Sequence, residues 1–380
     1  MNYLKFHDTY KEKTLFGRYI TLDDIEPLLL QYNAEVIGRS VLEKPIYKYQ
    51  IGTGKIKILM WSQMHGNEST TTKALFDLIN FLHSTTSESQ AFLKMFSFCM
   101  LPMLNPDGAK MYTRENANGV DLNRDAQHLS QPESQILRNV FNEFQPNYCY
   151  NLHDQRTIYG VADTGKTATI SFLAPAYNEN RDVNVVRLKA MSMIVAMNST
   201  LQQFISNQVG RFDDSFNINC VGDTFQSLNV PTILFEAGHF AEDYDREKTR
   251  KYIFIALLSS FNYFCDNDIV SNENSEYLKI PQNNVVFYDI VYKNVKINYD
   301  GVEKIINFAV QYEEVLINKK ILFEAKIAQI DNLENYFGHV VFDAKGEKYS
   351  DDHDNIPKIE SKADFYIGKQ NKFVNGLLSK

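Results

Sequence analysis

The chain has 380 residues, a hydrophobic share of 44%, an aromatic share of 13% and a formal charge of −8. That length exceeds a comfortable single core and predicts two domains, and the acidic balance argues against a nucleic-acid partner, which would need a basic surface. No apolar run is long enough to cross a bilayer, and the opening Met1-Asn2-Tyr3-Leu4-Lys5-Phe6-His7-Asp8 lacks the basic-then-apolar order of a signal peptide, so no membrane partner and a cytoplasmic location are expected.

In chain order, a helix is predicted over 21–32. Residues 55–61 are apolar enough for a buried strand. A second helix is predicted over 69–82, with Ala74, Leu75, Leu78, Ile79 and Leu82 at helical spacing. Between them stands Met64-His65-Gly66-Asn67-Glu68-Ser69. A His and a Glu three residues apart are common on helix surfaces. These two stand where a strand ends and a helix begins, the edge at which open α/β sheets hold their ligands. Residues 146–152 form another short strand candidate, and His153 follows in Asn151-Leu152-His153-Asp154. Hydrolytic zinc sites take three protein ligands of these types and keep a fourth position for water. A closed structural site would need a further Cys or His cluster, and the sequence holds none.

Asn105-Pro106-Asp107-Gly108 is a turn signature, because Pro fixes φ and Gly permits positive φ. The polar block 113–124 holds Arg114, Asn123 and Arg124. Standing alone it reads as a surface loop. Beside a metal, an arginine can grip a carboxylate or stabilise a developing oxyanion. Helices are predicted over 132–144 and 182–206. Residues 230–235 form a buried strand with Glu236 at its carboxyl end. A carboxylate there is costly unless paired or useful; the alternative is a Glu that has reached solvent. His239, three residues on, suits a hydrogen-bonded loop position or a place beside the site. A helix over 244–266 follows.

Alternating strands and helices predict an α/β domain over 1–270, a mixed, mainly parallel sheet with helices on both faces. Residues 265–275 are polar and linker-like. Beyond them short strands are expected over 284–292, 295–299, 305–312, 321–330 and 338–342, with turns at Asp300-Gly301 and Lys345-Gly346. This gives a small all-β accessory domain, 271–380, with no cluster able to perform chemistry. Cys99, Cys149, Cys220 and Cys265 have no paired spacing, as expected in a reducing compartment.

His65-Gly66-Asn67-Glu68, Asn105-Pro106-Asp107-Gly108, Gly119-Val120-Asp121-Leu122-Asn123-Arg124, His153 and Glu236, in this order, resemble the zinc carboxypeptidases of the M14 (carboxypeptidase A-like) family over residues 40–265. The resemblance implies one Zn2+ per chain held by His65, Glu68 and His153, with Glu236 as general base. It implies that Asn123 and Arg124 hold the free C-terminal carboxylate of a peptide substrate. Arg114 would polarise the scissile carbonyl, although it stands nearer to Asn123 and Arg124 in the chain than in the digestive enzymes. Digestive members also carry a mobile tyrosine ahead of the base, and residues 213–235 contain none. Phe212, Phe216 and Phe225 can close a pocket but cannot donate, so Tyr159 and Tyr244 are the candidate donors. Asp213, Asp214 and Asp223 are expected to cap turns or helices; at a pocket floor, one of them would favour a basic side chain. Asp154 is expected to orient a ligand imidazole, and Asp121 to brace the arginine loop. Two other classes compete with a peptidase. One is a zinc deacylase of small N-acyl amino acids, of the aspartoacylase and succinylglutamate desuccinylase type. The other is a binding module that has lost its chemistry. The intact ligand and base set argues against the last, and the Asn-Pro-Asp-Gly turn leans towards a peptidase.

Overall fold

Along the strand Ile56–Ser62, Ile58 and Met60 enter one apolar cluster while Leu59 and Trp61 enter another. A strand has a side-chain period of two, so this strand is buried on both faces and needs helices on both. The computed structural model describes residues 1–266, 274–352 and 354–379. Residues 267–273 of the linker expected over 265–275, and His353, lie outside the described residues.

The first half of the chain runs α1 (Tyr3–Tyr10), α2 (Leu22–Gln31), β1 (Glu35–Arg39), β2 (Pro45–Ile51), β3 (Ile56–Ser62), α3 (Thr70–Leu82), α4 (Ser87–Met95), β4 (Phe96–Leu101), α5 (Pro106–Met111), α6 (Pro132–Phe144) and β5 (Tyr148–Asp154). It continues through β6 (Tyr159–Val161), β7 (Ile170–Leu173), α7 (Val185–Leu201), β8 (Val209–Arg211), α8 (Val221–Ser227), β9 (Thr232–Ala237), α9 (Glu247–Asp266) and α10 (Asn274–Lys279). Eight of these strands form one sheet in the order β1-β2-β4-β3-β5-β9-β7-β8. Its centre, β4-β3-β5-β9, is parallel, whereas β1-β2, β2-β4 and β7-β9 pair antiparallel. The sheet is therefore mixed with a parallel heart, as expected. Residues of α3, α7 and α9 fill the cluster on one face, and residues of α6 and α8 fill the other. No described helix is long and apolar enough to cross a membrane.

By compactness the described chain divides into a unit of Met1–Gln155 with Ala168–Asn283, and a unit of Arg156–Thr167 with Asn284–Lys380. The excursion 156–167 leaves the first unit just after β5 and returns just before β7. The second unit carries β6, the part of β10 (Asn283–Val285) from Asn284 on, and β11 (Phe287–Tyr299), β12 (Val302–Ile317), β13 (Lys320–Asp331) and β14 (Phe337–Asp343). The last four make a sheet in the order β13-β12-β11-β14 around Tyr292, Phe308 and Ile327. The sequence breaks β11 in two at Lys293-Asn294. In the fold it is one strand, with a register shift between Tyr292 and Val295 and Asn294 at φ 56°. A bulge absorbs the polar pair without ending the ladder.

Asn105-Pro106-Asp107-Gly108, expected as a turn, instead opens the short helix α5. Asn105 Oδ1 accepts the Gly108 N–H at 2.8 Å, and Pro106 occupies the first helical turn, where a missing N–H costs nothing. The segment is buried rather than on the surface. It packs main chain to main chain on the loop after β3: a Cβ on Gly66 would lie 2.0 Å from the Gly108 carbonyl carbon.

Candidate metal centre and active site

The loop between β3 and α3 holds His65 and Glu68, and the Glu68 N–H donates to the His65 carbonyl at 3.1 Å. The neighbouring strand β5 locks this loop from below. Asp154, at its end, accepts the N–H groups of Thr70 and Thr71 at 3.0 and 3.4 Å, and its own N–H donates to Glu68 Oε2 at 3.1 Å. The preceding residue, His153, is thereby held against Glu68. His65 Nδ1 lies 2.8 Å from Glu68 Oε1, His153 Nδ1 lies 2.8 Å from Glu68 Oε2, and the two Nδ1 atoms are 3.1 Å apart. Both rings are buried. A neutral His65 with its one proton on Nε2, towards Asp121 Oδ1 at 3.0 Å, turns a bare Nδ1 lone pair to Glu68 Oε1 and to His153 Nδ1, which is a poor hydrogen-bond set. The three groups make a good set of electron-pair donors for one cation. Two imidazoles and a carboxylate are the donor types that zinc takes in hydrolytic sites, so the residues fit the metal that the sequence implies.

Asp121 fixes the geometry from the other side. Its Oδ1 lies 3.0 Å from His65 Nε2 and accepts the Asn123 N–H at 2.8 Å. Its Oδ2 accepts Arg114 Nε–H at 3.0 Å and pairs with the Arg114 Nη2 at 3.0 Å. A carboxylate on Nε2 keeps a proton there and leaves the Nδ1 lone pair for a metal. Asp121 therefore both braces the arginine loop, as expected, and orients the imidazole. The orienting role expected of Asp154 is a correction: its carboxylate caps the start of α3, where unsatisfied N–H groups attract an anion. Burial opposes protonation of His65, yet Glu68 and Asp121 raise its pKa overall, whereas burial keeps that of His153 below its ordinary value. Burial works against ionised Asp121 as well, but His65 and the two arginines pull its carboxyl well below the usual range.

Arg114 Nη1 approaches His65 Nδ1 at 3.2 Å and Glu68 Oε1 at 3.4 Å, so its guanidinium points at the metal-ligand cluster. Asn123 Oδ1 accepts the Val221 N–H at 2.9 Å, which leaves its NH2 to donate. Arg124 is exposed, donating to the Asn123 carbonyl at 2.8 Å and to Cys220 Sγ at 3.2 Å. Glu236 sits on β9 in direct register with His153 on β5, so both side chains leave the same face of the sheet. Its side chain is half-buried, but Oε2 is fully buried and accepts no hydrogen bond. Burial, followed by the Glu68 and Asp154 charges, pushes its carboxyl well above the ordinary value. Phe225 is a core residue stacked at 4.0 Å on Phe141, not a lid. Tyr244 packs at 4.8 Å from His239, itself buried, and Tyr159 lies in the excursion that joins the second unit. Asn105 escaped the sequence reading as a site residue. Its NH2 donates at 3.2 Å to both the Met64 and Glu115 carbonyls, tying the ligand loop to the Arg114 loop. The available signal was Asn directly before Pro, a helix-capping pattern.

The family model for zinc carboxypeptidases (peptidase M14) matches residues 31–199, a stretch that includes His65, Glu68, Arg114, Asn123, Arg124 and His153 and stops short of Glu236. The chain is 25% identical to carboxypeptidase 2 of Trichophyton tonsurans over 117 residues, 31% of this chain and 21% of that protein. It is 26% identical to carboxypeptidase SOL1 of Arabidopsis thaliana over 162 residues, 36% of this chain and 33% of that protein. The matched stretch thus spans only a fifth to a third of these relatives. Among solved structures, a metallo-carboxypeptidase of Pseudomonas aeruginosa shares the fold, with a TM-score of 0.50 and 15% identity over 64% of this chain and 68% of that one. The three converging ligands thus lie inside the stretch, residues 31–199, that matches the M14 zinc carboxypeptidase family, and the sheet has the fold of a solved metallo-carboxypeptidase.

Proposed function

We propose that the chain removes C-terminal residues from peptides, with Glu236 as general base. The observation that carries this reading is the Glu236 carboxylate: buried at Oε2, unbonded, raised in pKa and one strand across from His153. A raised pKa suits a group that must take and return a proton near neutral pH. Zinc held by His65, Glu68 and His153 would supply a Lewis acid for the carbonyl and for water.

The remaining work falls to the chain's own side chains. Arg124 and the Asn123 NH2 bind the terminal carboxylate, so the last peptide bond is the one presented. Glu236 Oε2 takes the proton of the attacking water as the C–O bond forms. The Arg114 guanidinium donates to the carbonyl oxygen as negative charge collects there. Glu236 then delivers its proton to the amine nitrogen as the C–N bond breaks. Both products leave with complete valences, and the base returns to its starting state.

The test is product analysis by mass spectrometry on free-acid peptides, their amides and N-acyl amino acids, with Glu236→Gln alongside. Loss of single C-terminal residues from the free acids is expected, falling at least about 100-fold in the variant, with zinc content unchanged. An active Glu236→Gln enzyme would remove Glu236 from the mechanism. Cleavage of N-acyl amino acids alone would replace the peptidase reading with a deacylase one.

A further inference from the structure

The strands that carry His153 and Glu236 part just beyond them. The β5-β9 ladder pairs His153 with Glu236 and Asp154 with Ala237. Its last rung runs from the Gln155 N–H to the Ala237 carbonyl at 2.9 Å. The chain of β9 then turns towards β7, its neighbour on the other side, and the Gly238 N–H donates to the Thr169 carbonyl at 2.8 Å. A metal ligand and the proposed base therefore stand near the open end of a parallel pair, with only the end of the ladder ahead of them.

Arg246 closes that end. It is 1% exposed, and its Nη1 donates to the Ala237 carbonyl at 2.7 Å while its Nη2 donates to the Gln155 carbonyl at 2.9 Å. One guanidinium thus bridges the two strands directly after their functional residues. Its planar fork fixes the spacing of two acceptors, which a single ammonium on a flexible stem does not. The backbone that aims it is itself constrained. Arg246 has φ 61°, a left-handed conformation uncommon outside glycine, and its N–H donates to the Asp243 carbonyl at 3.0 Å. The Asp243 carboxylate accepts the N–H groups of Glu247, Lys248 and Thr249 at the start of α9. The Thr249 hydroxyl donates to the Gly238 carbonyl at 3.0 Å. The start of α9 therefore grips the end of β9 at two successive carbonyls. Arg250, four residues on and equally buried, differs in kind: it pairs with the Asp77 carboxylate of α3 at 2.6 Å. Burial raises the carboxyl pKa of both Asp154 and Glu236, and Arg246 is among the cations that oppose it at each.

We propose that Arg246, seconded by Thr249, is a positioning residue for hydrolysis: it sets the place of Glu236 relative to His153 by bridging the strand ends that carry them. This rests on the reading of Glu236 as general base. A base must stand within hydrogen-bond reach of the proton it takes, and a misplacement of about 1 Å can cost on the order of 100-fold in rate. Asn123 and Arg124, which hold the substrate, stand on a different part of the chain and are not gripped by Arg246. The signature of a loosened bridge is therefore a lower kcat at an unaltered KM.

Arg246→Lys and Arg250→Lys would be compared with the wild-type protein at saturating zinc. Each replaces a buried guanidinium by an ammonium and keeps the charge, and both should melt earlier. Arg246→Lys should lower kcat on free-acid peptides about 10- to 100-fold with KM within about twofold, whereas Arg250→Lys should keep the wild-type kcat. Hydrogen exchange at the Gln155 amide should quicken by at least about 10-fold in Arg246→Lys alone. A wild-type kcat in Arg246→Lys would overturn the proposal, as would a loss carried by KM or an equal fall in both variants, which is the mark of lost stability. If Arg246→Lys does not fold, Thr249→Val decides: it removes only the bond to the Gly238 carbonyl and should lower kcat about 3- to 10-fold at constant KM, and a wild-type kcat there would overturn the proposal. A wild-type protein that cleaved only N-acyl amino acids would sink the peptidase reading, and the same kcat ratios would be read on those substrates. A wild-type protein active on nothing would remove Glu236 as base, and the positioning role with it, whatever the exchange at Gln155. An active peptidase with equal kcat in all the variants would sink the bridge and leave the peptidase.

Discussion

Replacing Asp121 by Asn would test how the metal centre is held. Asp121 serves three donors at once: His65 Nε2 at 3.0 Å, the Asn123 N–H at 2.8 Å and the Arg114 guanidinium at 3.0 Å. An asparagine is almost isosteric but has one acceptor atom. If its oxygen stays on His65, its NH2 faces the Arg114 donors. If it turns, its NH2 faces His65 Nε2 and favours the tautomer with a proton on Nδ1, the atom directed at Glu68 and His153. Either way one strong bond becomes a donor-donor contact. Loss of such a supporting group typically weakens metal binding about 10- to 100-fold, or about 1.4–2.7 kcal/mol. Competition with a chromophoric chelator would read the zinc dissociation constant directly. A wild-type constant in Asp121→Asn would refute the argument that this carboxylate sets the His65 tautomer.

Gly66→Ala places a methyl 2.0 Å from the Gly108 carbonyl carbon and 2.2 Å from the Ala109 nitrogen, both main-chain atoms. It should cost about 1–3 kcal/mol and weaken zinc binding too; an unchanged denaturant midpoint would contradict this. Arg124→Ala should raise KM for free-acid peptides and leave their amides unaffected, and equal losses on both would remove its assigned role. His7, on α1, is buried, and burial followed by Arg250 lowers its pKa from 6.5 to about 4 despite Asp8. Between those values the unfolded chain binds a proton that the folded chain refuses. Stability should therefore be flat above pH 6.5 and fall by about 3 kcal/mol as pH drops through this window. The slope should be smaller in His7→Gln, and identical pH profiles for the two proteins would show that His7 does not drive it.

The sequence by itself determined the parallel heart of the sheet, its flanking helices and the positions of His65, Glu68 and His153. These depend on short-range patterns. A buried strand announces itself within seven residues, a helix within two turns, and a ligand at the junction inherits its place from both. Glu236 was legible for the same reason, as a carboxylate ending an apolar strand. The tertiary structure decided which partner each charged group takes. Asp154 and Asp121 each looked able to support the site. Only the approach of the arginine loop to His65, across 56 positions of chain, gave Asp121 the imidazole and left Asp154 on the start of α3. Asn105-Pro106-Asp107-Gly108 read as a surface turn because its own residues favour one; packing against Gly66 buried it as a helix. Likewise Asp213, Asp214 and Asp223 are equivalent as sequence. Strand register and the seat of α8 leave one in solvent, pair one with arginine and bury the third in the first turn of α8, because burial and partnership are fixed by neighbours that are distant along the chain.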